Sequence, residues 1–199
     1  MIPFRVILAD CPWQNDDQLP GERGASHKYV TMPTRDICAL RIPPTEPDAL
    51  LFLWRLASMQ WDALEVALRW GFTPKSELVW VKTKSVSGVE IPAEGDEPEP
   101  GRMGLGHYTR NDHEVCLICA KGRGASLVQA HNIRSVVYAP RTPRHSEKPE
   151  ATYAAIEAML GDLGPRVELF ARRHRPGWEC MGNELGVEIG FGLLGGTHG

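Results

Sequence analysis

The sequence has no apolar run approaching the roughly 18 residues that a membrane span needs, and its opening Met1-Ile2-Pro3-Phe4-Arg5 lacks the form of a secretory signal. Membrane-spanning and secreted classes are set aside, and a cytoplasmic protein is expected. Cysteine is scarce: five residues, an odd number, are scattered along 199. That is no disulfide framework, and it suits a reducing compartment. Cys116 and Cys119 make a C-x-x-C, but within the apolar run EVCLICA residues three apart point to opposite faces of a strand, so no metal site is expected there. Net charge is also small, 22 basic against 25 acidic side chains, formally −3. This argues against a protein wrapped permanently around nucleic acid. Internal repeats are absent.

What is present is an ordinary globular composition, 42% hydrophobic and 24% charged. A chain of this length can bury roughly 70% of its unfolded surface, enough for one sizeable core. Short apolar runs recur: RVILA (5–9), ALLFLW (49–54), ELVWVK (77–82), EVCLICA (114–120), RSVVYA (134–139) and RVELFA (166–171). Because they are continuous rather than alternating, they read as strands covered on both faces, hence a mostly parallel sheet in an α/β layer structure. A helix is expected from about Ser58 to Trp70, with Trp61, Leu64 and Leu68 as its core stripe and Gly71 as its stop. A second begins near Pro149 and carries Tyr153, Ile156 and Leu160 to a stop at Gly161.

Charge is unevenly distributed. Residues 121 to 148 hold Lys121, Arg123, Arg134, Arg141, Arg144 and Lys148 against the single acid Glu147. One surface can therefore accept a polyanion. Glu90, Glu94, Asp96, Glu97 and Glu99 fall instead in a Pro- and Gly-containing stretch without a base. That stretch is expected to be an acidic excursion loop near 84–106. The final residues, 190–199, read as a flexible tail.

The stretch ILADCPWQND (7–16) does not look like a hairpin turn, where small residues such as Asn-Gly are usual. The run stops at Asp10 and delivers Cys11, Pro12 and Trp13 in succession. In an open α/β sheet the crevice beyond the carboxyl end of a strand is the usual ligand site. Pro12 restricts Cys11 to extended geometry, which can hold the Cys11 carbonyl in a fixed direction beside the Asp10 carboxylate. Two acceptors and a flat aromatic are what an exocyclic amino group on a base requires.

Here the chain resembles the MT-A70 family of S-adenosylmethionine-dependent adenine N6-methyltransferases, whose hallmark is Asp-Pro-Pro-Trp. The likeness runs in order through ADCPW (9–13), YVTM (29–32), LFLW (51–54), GF…ELVWVKT (71–83), RNDHEVCL (110–117), RSVV (134–137), RHSEKPE (144–150), ELFARR (168–173) and PGWECMGNE (176–184). It implies one methyltransferase domain over residues 1–189. The implied fold is a Rossmann-like class I methyltransferase sheet, with helices on both faces, the catalytic strand first and the cofactor-binding strand, RVELFA, late. It also implies catalytic roles for Asp10, Cys11, Pro12 and Trp13. Lys148 would meet the cofactor's carboxylate, and Arg172, His174, Asn183 and Glu184 would line its ribose and adenine. Tyr29 would lie in a mobile loop over the target base, and Arg144 on the nucleic acid. No glycine-rich G-x-G loop follows Glu168, as in the family, and no metal is called for.

Each residue also has a plainer reading. Lys148 can be a solvated residue at a helix start, although a cation there opposes the helix dipole. Arg172 can belong to a surface run with Arg173 and Arg175, and Asn183 can be a turn residue. Departures from the family pattern are Cys11 in place of the first proline, and Glu184 where an amide is common. A chain that starts so near the catalytic strand is expected to lack the upstream segment that helps enclose the cofactor adenine in larger relatives, and weaker cofactor binding is expected with it. The expected reaction is methylation of adenine N6 in DNA. The alternatives are the same reaction on RNA, or a silent relative that binds nucleic acid or a partner; a homodimer is allowed.

Overall fold

Val6 to Ala9 are all buried, and the reason lies in what flanks them. In the computed structural model, which describes residues 2–14, 31–84, 100–101, 108–142 and 147–186, strand β1 (Phe4–Ala9) lies between two parallel neighbours. These are β2 (Thr45–Arg55) and β6 (Arg166–Leu169). Parallel strands are joined by crossovers that pack on the sheet's faces, and with alternate side chains on opposite faces the burial of all four residues shows both faces of β1 covered here.

The chain divides into two compact units. The first comprises Met1–Ser76, Leu117–Leu127 and Leu163–Gly199. Its strands follow the order β4-β2-β1-β6-β7, where β4 is His113–Lys121 and β7 is Glu179–Met181. In register, Ala9 faces Leu53 on β2 and Leu169 on β6, and Leu169 faces Met181 on β7, all in parallel pairs. One step further along each strand come Asp10, Trp54, Phe170 and Gly182. The carboxyl ends of four parallel strands therefore form one edge.

Two helices of this unit, α1 (Thr34–Ala39) and α2 (Gln60–Arg69), pack on each other. The Trp70 indole N–H donates to the Ile37 carbonyl (3.1 Å) and the Thr34 hydroxyl donates to Asp62 (2.6 Å). The expected core stripe on α2 is corrected. Trp61 is 82% exposed and Leu68 59% exposed, whereas Ala63, Val66, Ala67 and Trp70 are buried. Trp61 and Leu68, seven residues apart, share the outward face. The small Ala63 and Ala67 let the helix approach its neighbours closely on the other. The stop is as expected: Gly71 has φ +84°, its N–H bonds to the Leu68 carbonyl (3.0 Å), and the Phe72 N–H bonds to that of Ala67 (2.9 Å). This is a Schellman motif, whose left-handed position favours glycine.

The second unit comprises Glu77–Cys116 and Val128–Asp162. Here β5 (Val136–Pro140) pairs in parallel with β3 (Thr73–Thr83), Val79 facing Val136 and Lys82 facing Ala139. The Trp80 indole N–H donates to the Ala139 carbonyl at 2.9 Å. Among the described residues β5 has no further neighbour in the sheet, and Val136 and Tyr138 are exposed. Its expected two-sided covering is thus corrected: Val136 and Tyr138 share one exposed face of β5, while Ala139 on the opposite face is buried. Helix α3 (Glu150–Leu160) buries Thr152, Tyr153, Ile156 and Leu160 and ends at Gly161, φ +56°, as its spacing predicts. RVELFA is a strand only as far as Leu169, because Phe170 takes φ +63° and turns the chain. No described helix is long and apolar enough to cross a membrane. Most of the acidic stretch, and all of 190–199, lie outside the described residues.

Candidate active site

The loop that leaves β1 is held at several points. The Trp13 N–H donates to the Cys11 carbonyl at 2.8 Å, closing a three-residue γ-turn centred on Pro12. The Pro12 carbonyl accepts from the Met32 N–H (2.7 Å), and the Met32 carbonyl from the Gln14 N–H (3.1 Å). The Trp13 indole N–H donates to the buried Trp54 carbonyl at 2.9 Å. Pro12 is thus the centre of a turn in which the Cys11 carbonyl accepts a hydrogen bond from within the loop, with half-buried Asp10 before it. Trp13 itself is only 3% exposed. A base-stacking platform needs an open face, so in this geometry Trp13 acts as the anchor of the loop.

The end of β6 builds a second group at the same sheet edge. Phe170, a non-glycine residue in the left-handed region, carries a backbone cost of about 1–3 kcal/mol that its surroundings must offset. After it, the Ala171 N–H bonds to the Met181 carbonyl at 2.9 Å. Gly182 passes so close that an added Cβ would overlap the Ala171 carbonyl oxygen and lie 2.8 Å from its nitrogen. Only glycine permits that approach. It sets the short 3-10 turn Asn183–Leu185 beside Arg172, whose Nε lies 3.5 Å from Glu184 Oε1. Arg172 is part-exposed, and His174, Asn183 and Glu184 are exposed. An ion pair this open contributes little to stability. Trp178 braces the segment, with the Arg166 guanidinium 5.7 Å from its ring centre.

Lys148 belongs to the second unit and is not the solvated residue of its plainer reading. It is 5% exposed, and its Nζ lies 3.3 Å from Glu114 Oε2; Lys82 Nζ lies 2.8 Å from Glu114 Oε1. Desolvation by burial pushes the Glu114 carboxyl up, but the charges and hydrogen bonds of Lys148 and Lys82 together outweigh it. The carboxyl is held below its ordinary value and stays ionised. Two ammonium groups share one carboxylate, so these three side chains carry one positive charge in excess.

Of the expected site residues, the structure brings Asp10, Cys11, Pro12, Trp13, Arg172, Asn183 and Glu184 to one sheet edge. His174 follows two residues after Arg172, and Tyr29 and Arg144 lie outside the described residues. Sequence reasoning missed Lys82 and Glu114. The available signal was a charged residue set inside each of two apolar runs, VWVKT and HEVCL. Cys116 and Cys119 are both buried and outside any disulfide, and burial pushes the Cys119 thiol up to about 12.

The first strand ends in an acidic loop that turns at Pro12 and is anchored through Trp13, and a glycine-set turn lies at the same end of the sheet, the usual ligand position of an open α/β sheet. The chain belongs to the MT-A70 family, whose pattern matches residues 4–184. It is 32% identical over 187 residues to an N(6)-adenosine-methyltransferase MT-A70-like protein of Drosophila melanogaster, covering 92% of this chain and 27% of that protein. It is 30% identical over 184 residues to the human N(6)-adenosine-methyltransferase catalytic subunit METTL3, covering 92% and 28%. Against the type II methyltransferase M.MunI of Mycoplasma sp it is 28% identical over 201 residues, covering 92% and 78%. The chain thus spans about a quarter of the length of the adenosine methyltransferases it matches.

Proposed function

We propose that the chain transfers a methyl group from S-adenosylmethionine to the N6 amino group of adenine in DNA. The arrangement would be that of a class I methyltransferase, with β1 carrying the catalytic loop and β6 leading to the cofactor residues. The carrying observation is the hydrogen-bonded turn at Pro12, which restrains the segment Asp10–Trp13 at the carboxyl end of β1.

Each unit, taken by itself, offers groups suited to one part of the cofactor. In the second unit, the buried Lys148 ammonium suits a carboxylate. The exposed Arg172, His174, Asn183 and Glu184 offer donors and acceptors for a ribose and a purine. When bound, the sulfonium supplies an electrophilic methyl group. Adenine N6 is a poor nucleophile because its lone pair is delocalised into the ring. Asp10 would accept a hydrogen bond from one N6–H and the Cys11 carbonyl from the other, which favours a pyramidal nitrogen and frees that lone pair; as the N–C bond forms the S–C bond breaks, the thioether leaves, and the methylated nitrogen gives up one proton to solvent. The Asp10 charge also stabilises the positive charge that grows on nitrogen, so orientation and electrostatics supply the catalysis. Trp13 serves by holding the loop through Trp54. Tyr29 and Arg144 are assigned to the target base and the nucleic acid. A base within a duplex must first be flipped out, at about a few kcal/mol, whereas one in a single strand need not be.

DNA is in keeping with the likeness to a type II methyltransferase along 78% of that protein. The higher identity to the N(6)-adenosine methyltransferases supports RNA as the second reading. Mass spectrometry of nucleosides from DNA and from RNA, each incubated with protein and cofactor, tests both. N6-methyladenine in the DNA arm alone is expected. Methylation confined to RNA transfers the reading to that substrate, and methylation of neither, with cofactor bound, assigns the chain to the silent relatives.

A further inference from the structure

Lys82 is a buried cation to which the chemistry above gives no task. It is 7% exposed, and burying a second lysine beside a carboxylate already paired with Lys148 is costly unless it serves something. Its backbone is held on both sides: the Lys82 N–H donates to the Asp112 carbonyl (2.7 Å), and the Lys82 carbonyl accepts from the Gly101 N–H (2.9 Å). The ammonium lies 5.1 Å from the Trp80 ring centre and makes the shorter of the two contacts to Glu114, 2.8 Å against 3.3 Å for Lys148. The two ammonium groups occupy different oxygens of that carboxylate. Glu114 and Lys148 alone would be a neutral pair, with little pull on an anion. Adding Lys82 changes the balance of charge without changing what touches the ligand.

We propose that Lys82 is a specificity-determining positioning residue: it takes up the charge of Glu114, so that the charge of Lys148 is directed at a carboxylate-bearing ligand. The inference rests on reading Lys148 as the partner of the cofactor's carboxylate, and it adds the residue that keeps Lys148 selective for it. The excess charge decides the preference, so restoring the balance by another route restores the preference too.

The test is calorimetric titration of the full chain with S-adenosylmethionine and with decarboxylated S-adenosylmethionine, which differ only in the carboxylate. The wild type binds the first more tightly. Lys82→Met leaves a neutral Glu114–Lys148 pair and weakens S-adenosylmethionine binding about tenfold, with the decarboxylated ligand unaffected. Lys82→Met/Glu114→Gln returns one excess positive charge and recovers the preference. The proposal is overturned if Lys82→Met binds both ligands as the wild type does, if it weakens both equally, or if the double variant is no better than the single. Circular dichroism melts establish folding. Should Lys82→Met not fold, the double variant decides: a wild-type ratio of the two affinities upholds charge balance, and a ratio near one overturns it. A wild type that binds both ligands equally removes Lys148 from the carboxylate, and Lys82 with it. That failure, seen before any substitution, is distinct from one confined to the variants.

Discussion

Replacing Gly182 with alanine adds one methyl group where the backbone of Ala171 already lies. The new Cβ would overlap the Ala171 carbonyl oxygen and sit 2.8 Å and 3.0 Å from its nitrogen and carbonyl carbon. All three are backbone atoms, so no rotamer change can relieve the contact. At φ 178° alanine is as comfortable as glycine, and the effect is purely steric. Overpacking of this kind costs about 1–3 kcal/mol. For a protein of this size that lowers Tm by about 2–12 °C. Relief comes only by moving the turn away from Ala171, which carries Asn183 and Glu184 with it. Cofactor affinity should therefore fall together with stability. Gly177→Ala is the control: φ is +79° but nothing lies within 4 Å of an added Cβ. Its cost is backbone strain alone, about 1 kcal/mol, and Asn183 stays in place. Thermal denaturation and calorimetry on both variants check this. A Gly182→Ala protein with wild-type Tm and wild-type cofactor affinity would refute the argument.

Asp10→Ala should lower single-turnover methyl transfer by about 10²–10³ while leaving Tm and cofactor affinity near wild type. Asp10→Asn should retain more activity than the alanine variant, since an amide oxygen still accepts a hydrogen bond. Trp13→Phe keeps a ring but leaves the buried Trp54 carbonyl without its indole donor. A loss of about 1–3 kcal/mol in urea denaturation is expected, and an unchanged midpoint would mean that the bond does not anchor the loop. The pH dependence follows from Glu114, whose folded value lies below its ordinary 4.5. Its contribution to stability is present above the unfolded value and is lost as pH falls through the folded one. The stability difference between wild type and Glu114→Gln should therefore shrink under acid. A difference that stays constant from about pH 7 to pH 3 would contradict the pairing with Lys82 and Lys148.

Much of this protein was legible in one dimension. A strand stretch with both faces covered must be apolar at successive positions, which is why VILA, after the exposed Arg5, and ALLFLW announce themselves. Gly71 and Gly161 end helices because their positive φ angles suit a residue without a Cβ, and Pro149 stands where a helix tolerates it. The DCPW loop stood out because a core strand has no packing reason to end in an acid, a rigid turn and a large aromatic. Other features depended on what the fold placed nearby. The α2 sequence supports two apolar stripes, and close packing chose the small side chains, turning Trp61 and Leu68 outward. β5 keeps one face, that of Val136 and Tyr138, exposed, which its continuous apolar run does not reveal. β7, at three residues, is too short for a periodic signal and exists because β6 offers it a partner. Lys82, Glu114 and Lys148 are far apart in the chain, and no local pattern says that two cations will share one carboxylate. Charge pairing acts through space, and only the folded chain decides which charges meet.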